Sequence, residues 1–350
     1  MTYRLICGKI QLEREADMNL IDKEKAKRLD ETLKLNYRVT RLYGTYLERF
    51  PDIITKEMID SLTEGTDLSV RDALIAILSE LFGIDYDRSP EDRRIYRDYL
   101  CRSVRILDAE KYRNDPYYKT VKISDIKDGA WEFKNEKYPA FRGVICDDMI
   151  VDEDLFEVAP LGFFTEDFEF PAVLENGNEW MTLTPVDLDT CQEAIKLAEG
   201  KVVTFGLGLG YYAFMCAQKP EVSSVTVIEK SPDVIRLFKE HLLPQFPNGE
   251  KIRVIECDAF EYAEHLMPKE EYDLAFVDTW RDASDGAPML KKMRCLEHLS
   301  PSTKFTYWIE EFLKSQLRAQ KYSEVFDKID ANAPDAPQSY DELYRLLTDF

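Results

Sequence analysis

Val202-Val203-Thr204-Phe205-Gly206-Leu207-Gly208-Leu209-Gly210-Tyr211-Tyr212 decides the reading of this chain. An apolar run of strand length passes straight into three alternating glycines, and a helix-compatible segment, Ala213 to Gln218, follows. Strand, glycine turn, helix is the order by which an α/β sheet brings its backbone close to a nucleotide-like ligand. Glycine suits the turn because a Cβ would block both the tight bend and the approach of the ligand.

The pattern downstream repeats. Strands are predicted over Val202–Phe205, Val225–Glu229, Ile252–Cys257, Leu274–Asp278 and Phe305–Ile309, with helices starting near Tyr211, Ser231, Asp258 and Gly286. Ser231-Pro232-Asp233 is a well-made helix start, with a capping hydroxyl, a pre-set φ and an acid in the first turn. Alternating strands and helices predict a doubly wound α/β domain around a mostly parallel, Rossmann-like sheet over 185–320.

Upstream, residues 1–110 read as a helical domain. Ser69-Val70-Arg71-Asp72 forms a capping box before Leu74, Ile75, Ile77, Leu78, Leu81 and Phe82, and Gly83 closes the run. Ser89-Pro90-Glu91-Asp92 repeats the start signal, and Leu33 to Leu47 predicts another helix. These helices pack their own core, or serve as a lid or dimerisation arm. A connecting segment, 111–184, holds β-hairpins: Phe156 to Phe164, Phe168 to Leu174 and Trp180 to Leu183, with a turn at Glu175-Asn176-Gly177-Asn178. Asp115-Pro116-Tyr117-Tyr118 lacks the second proline of the D-P-P-Y signature and reads as a turn. Thr184-Pro185 breaks the strand, and Asp187 or Asp189 caps a helix through Ala198. The pattern weakens after Gln320, and a tail helix, Tyr340 to Phe350, ends 321–350.

Composition narrows the function. A formal net charge of -21 repels a phosphate backbone and disfavours nucleic acid as a partner. Seven scattered cysteines without a C-x-x-C pair, and only three histidines, argue against a disulfide or metal framework, so no metal is expected. No run is long and apolar enough for a signal peptide or membrane span, and the expectation is a cytoplasmic chain with no membrane partner.

Three predicted strands end in acids: Glu229, Asp258 just past the third, and Asp278. Glu229 follows Gly206 by 23 residues, near the roughly 20 expected of an acid that accepts hydrogen bonds from ribose. Glu229 also reads as a surface or capping acid, and Asp258 as a plain N-cap. Asp278-Thr279-Trp280-Arg281-Asp282 is the best candidate for an acceptor site. Asp278 or Asp282 would orient or deprotonate an acceptor, and Trp280 would wall a cation, or is simply structural. Tyr211-Tyr212, Tyr307-Trp308, and Trp180, Met181 and Thr184 are further candidate walls.

Over roughly residues 180–320, about two fifths of the chain, these residues resemble the class I S-adenosylmethionine-dependent methyltransferases, and distantly the spermidine synthases. Gly206-Leu207-Gly208-Leu209-Gly210 matches the family's glycines at every second position, whereas the dehydrogenase fingerprint would need a third glycine where Tyr211 stands. The resemblance implies S-adenosylmethionine as cofactor. The Gly206–Gly210 loop and Tyr211 would lie against its methionine part, Glu229 with Lys230 at the ribose, Asp258 and the Ala259 N–H at the adenine, and Asp278 beside the sulfonium. The implied activity is methyl transfer to a small molecule or protein side chain, with a homodimer left open. A non-catalytic binding or dimerisation module, an aminopropyltransferase and an NAD-dependent oxidoreductase are the alternatives. Two departures stand out. Thr204 occupies the place of the family's usual acid, and Arg281 replaces the second carboxylate of the D-S-S-D-like aminopropyltransferase loop.

Overall fold

In the computed structural model, residues 2–123, 126–281, 283–331, 333 and 335–350 are described, with side chains from residue 23 onward except Asp330. Five parallel strands form the central sheet: β1 (Gly200–Phe205), β2 (Val222–Glu229), β3 (Ile252–Glu256), β4 (Leu274–Val277) and β5 (Lys304–Tyr307). Their spatial order is β3-β2-β1-β4-β5. Val202 therefore pairs with Val225 on one side and Leu274 on the other, and Thr204 with Val227 and Phe276. The direction of winding reverses between β1 and β4, which makes the crevice beyond their carboxyl ends the topological switch point.

Both faces of the sheet are covered, which is why its strands read as nearly unbroken apolar runs. Val203, Phe205, Ile228, Ala275 and Val277 pack with Leu290, Met293 and Leu313 from the helices Ala283–Glu297 and Glu310–Asp330. Val202, Val225, Val227, Leu274 and Phe276 face the other way, onto Tyr212, Phe214 and Leu237. Each such fully buried side chain contributes about 1.5–3 kcal/mol of transfer free energy.

Trp131–Tyr138, Phe168–Glu175 and Asn178–Thr182 form an antiparallel sheet with the short strand Ile126–Asp128. The turn in its second hairpin takes φ of 52° at Asn176 and 78° at Gly177, the positive values a two-residue hairpin demands. Residues 156–164 are not a single hairpin strand. Ala159-Pro160 interrupts them, and Leu161–Phe164 pairs in parallel with Val104–Leu107. Proline cannot donate to a ladder, and the distant partner leaves no local signal. Asp115-Pro116-Tyr117-Tyr118 is likewise more than a turn, since Asp115 caps the short helix Pro116–Thr120 by accepting from Tyr117 N–H at 2.8 Å.

The amino-terminal part is helical, with Thr2–Arg49 as its longest element. Ser69 and Ser89 cap Val70–Leu81 and Pro90–Arg94 as their sequences predict. Their core includes Val104, Phe156, Leu161 and Phe163 and so runs into the segment that follows. Glu310–Asp330 extends well past Gln320, where the sequence pattern fades. Its start is capped from a distance, because Glu311 and Phe312 N–H donate to the Asp148 carboxylate at 3.1 and 3.0 Å. Its middle is fixed by a buried ion pair between Arg318 and Glu157. The last helix, Tyr340–Thr348, packs Leu343 and Leu347 against Leu29 and Leu33. Among the described residues no helix is long and apolar enough to cross a membrane.

Candidate functional site

The glycine turn leaves β1 at the switch point, with φ of 99°, 52° and 77° at Gly206, Gly208 and Gly210. Gly206 N–H still donates to Ile228 O at 2.8 Å, so the turn begins while the strand is held by β2. A Cβ on Gly206 would lie 1.8 Å from the Asp278 carbonyl oxygen. The loop thus passes in backbone contact with the end of β4, a path closed to any residue with a side chain.

Beside the loop lies a small cavity, lined by Gly206, Leu207, Tyr211 and Asp278 of the expected residues. Tyr212, Trp308, Met181 and Leu183 also line it, while Thr204 and Asp187 supply further polar groups. The expected loop role of Tyr211 and Tyr212 is combined with packing. Tyr211 donates to Asp115 Oδ2 at 3.1 Å, and the Tyr212 ring stacks on Phe276 at 4.1 Å.

Two carboxylates, Asp187 and Asp278, line this cavity together. Asp187 Oδ2 accepts Thr184 N–H at 2.7 Å and the Thr184 hydroxyl at 2.8 Å, the capping box that starts Pro185–Thr190. Thr184, rather than Asp187 or Asp189, is therefore the N-cap. Burial pushes Asp187 up to about 6. Asp278 is raised well above the usual carboxylate range, by burial first and by the charge of Asp187 second. Among the described residues no Lys, Arg or His lines the cavity. Thr204 offers only a hydroxyl, which donates to Gly206 O at 3.4 Å.

The adenosine-side candidates sit elsewhere. Glu229 is 8% exposed. It accepts Ser231 N–H at 2.8 Å and Leu207 N–H at 3.3 Å, tying the glycine loop to the end of β2. Asp258 caps its helix by accepting from Phe260 and Glu261 N–H at 2.9 and 3.2 Å. Neither acid lines the cavity, nor does Lys230, which is exposed, nor Ala259. Gly208 faces a different space, where Met181 fills the room its missing side chain leaves: a Cβ there would meet the methionine methyl at 2.2 Å. Gly210 packs under Phe238.

The acceptor-side expectation needs correcting at Trp280. Its ring lies on the opposite face of the sheet, in the core with Leu290 and Leu313, parallel to Tyr307 at 6.5 Å and against Gly286. The strand ends at Val277, and beyond it the chain turns Trp280 into the core, the structural alternative of its two sequence readings. Asp282 lies outside the described residues.

Sequence reasoning missed the brace behind the loop. Tyr117 O–H donates to Leu209 O and Tyr118 O–H to Leu183 O, each at 2.6 Å. The signal was the pair of adjacent tyrosines after a capped helix start. It also missed a possible ligand group: Asp128, Glu240 and His241 bring three ligand atoms within 4.8 Å of one another. Arg236 already answers that charge, reaching Asp128 at 2.5 Å and Glu240 at 3.4 Å.

No family model matches this chain, and no curated protein matches it. Among solved structures, a precorrin 8W decarboxylase from Methanobacterium thermoautotrophicum is 19% identical, covering 41% of this chain and 69% of its own, with a TM-score of 0.27. A spermidine synthase from Thermotoga maritima is 13% identical, covering 58% of this chain and 73% of its own, with a TM-score of 0.30. Both likenesses are partial and shallow, and the chemistry of this chain has to be read from its own cavity.

Proposed function

We propose that this chain is an S-adenosylmethionine-dependent transferase whose donor enters at the switch point between β1 and β4, and that the group moved is methyl, to a small molecule or a protein side chain. The observation that carries the reading is the joining, in one cavity, of the glycine turn, two half-buried carboxylates and aromatic rings, with no basic residue among the described residues of its lining. A sulfonium is a cation with apolar substituents, and acids backed by rings match it in charge and in surface. When bound, the donor supplies an electrophilic carbon.

The residues present fit the sulfonium and amino-acid end of such a donor. Asp278 would face the sulfonium, and its raised proton affinity equips its carboxylate to take a proton from an acceptor. Tyr212 and Trp308 would exclude water. Glu229 and Asp258 would take the adenosine end with the lone pairs their backbone donors leave over. Alignment and desolvation are most of what methyl transfer asks of a protein.

Calorimetric titration with S-adenosylhomocysteine, decarboxylated S-adenosylmethionine and NAD tests the reading. Micromolar binding of S-adenosylhomocysteine without NAD is expected. Binding of NAD alone would overturn it, and binding of nothing would leave a non-catalytic module. One observation favours a second reading, aminopropyl transfer: the lining has acids but no base to pair a ligand carboxylate, which decarboxylated S-adenosylmethionine lacks.

A further inference from the structure

We infer that Asp187 replaces, in space, the carboxylate that is missing at position 204, and that it holds the ammonium group of the donor. The inference rests on the proposed reading of the cavity and names a binding residue within it. Thr204 sits in the middle of the sheet, 3% exposed, and lines the cavity with a hydroxyl that cannot balance a charge. Asp187 reaches the same cavity from a different element, the helix Pro185–Thr190 that precedes β1. Its carboxylate is fixed there by Thr184, whose N–H and hydroxyl both donate to Oδ2, and a carboxylate has acceptor capacity for more donors than these.

Asp278, which lines the same cavity, is independent support. Among the described residues no hydrogen bond or ion pair answers its carboxylate, and the charge that acts on it is that of Asp187, which is of like sign. Two half-buried acids of like charge in one cavity repel one another, a cost that a bound ammonium would remove. An ammonium carries three N–H donors and could serve both acids at once. A metal ion is a poorer match, because no third carboxylate, thiolate or imidazole joins these two in a ligand cluster among the described residues.

The ammonium can come from the amino-acid tail of S-adenosylmethionine or from the aminopropyl tail of its decarboxylated form, and the test separates them. Affinities of wild type and Asp187→Asn are compared for S-adenosylhomocysteine, decarboxylated S-adenosylmethionine and 5′-methylthioadenosine, which keeps the nucleoside and thioether and has no ammonium. Wild type should prefer at least one ammonium-bearing ligand, and the tighter of the two identifies the donor. Asp187→Asn should weaken that ligand about tenfold or more while changing 5′-methylthioadenosine less than about twofold. Asparagine keeps an oxygen for Thr184, and the melting curve reports whether the fold is intact. Adding Thr204→Asp to Asp187→Asn should restore the preference, a rescue that a merely structural role would not produce. Equal loss for all three ligands, or no loss, overturns the role of Asp187 and leaves the cofactor reading standing. Failure of wild type to bind any of them overturns both.

Discussion

At the scale of single residues, the acids at the strand ends separate into two kinds. Glu229 and Asp258 spend their oxygens on backbone N–H groups, whereas Asp278 lines a cavity and its carboxylate has no donor among the described residues. Glu229→Ala is therefore expected to destabilise the protein by about 1–3 kcal/mol, because it leaves Leu207 and Ser231 N–H unsatisfied in a buried place. Chemical denaturation would measure it, and an unchanged midpoint would show that the two bonds count for nothing. The sequence makes these acids easy to find, since each follows an apolar run directly. It does not show which way a carboxylate turns. Thr204 and Asp187 illustrate the same limit: the absence of an acid at 204 is plain in the sequence. Its stand-in sits 17 residues earlier, in another element, where spacing carries no information.

Elements are legible where their signals are local. The five parallel strands and the capped starts at Ser69, Ser89 and Ser231 follow from short stretches of sequence. Leu161–Phe164 and the brace at Tyr117 and Tyr118 do not, since their partners lie at Val104–Leu107 and at Leu209 and Leu183. Tyr117 is fully buried, its ring edge-on to Tyr211, Phe214 and Phe246 while its hydroxyl holds the Leu209 carbonyl. Tyr117→Phe keeps the rings and removes only the donor. A loss of about 1 kcal/mol is expected, together with faster amide exchange over 207–210. Unaltered exchange there would mean that the loop holds its shape without the brace.

For the whole molecule, pH is the informative variable. Asp148, at the start of Glu310–Asp330, and Asp187, in the cavity, are both raised to about 6, chiefly by burial. Unfolded, each would titrate near the ordinary value of about 3.9. A folded value above the unfolded one means that protonation favours the fold. The contribution is thus complete below about pH 4 and lost as pH climbs through 6. The net charge of -21 acts in the same direction, since partial protonation relieves its self-repulsion. The melting temperature should therefore be higher at about pH 5 than at 7.5 by a few degrees. Asp148→Asn together with Asp187→Asn should flatten the difference. A melting temperature that rises steadily from pH 5 to 7.5 would contradict both assignments.

Leu29 and Leu33 share a small core with Leu343 and Leu347, so segments about 310 residues apart in sequence seal one seam. During synthesis that stretch of the first helix emerges ahead of its partner and waits, uncovered, until the segment around Leu343 has left the ribosome. The sheet and its cavity, all of which lie between the two in sequence, can assemble before that seam closes.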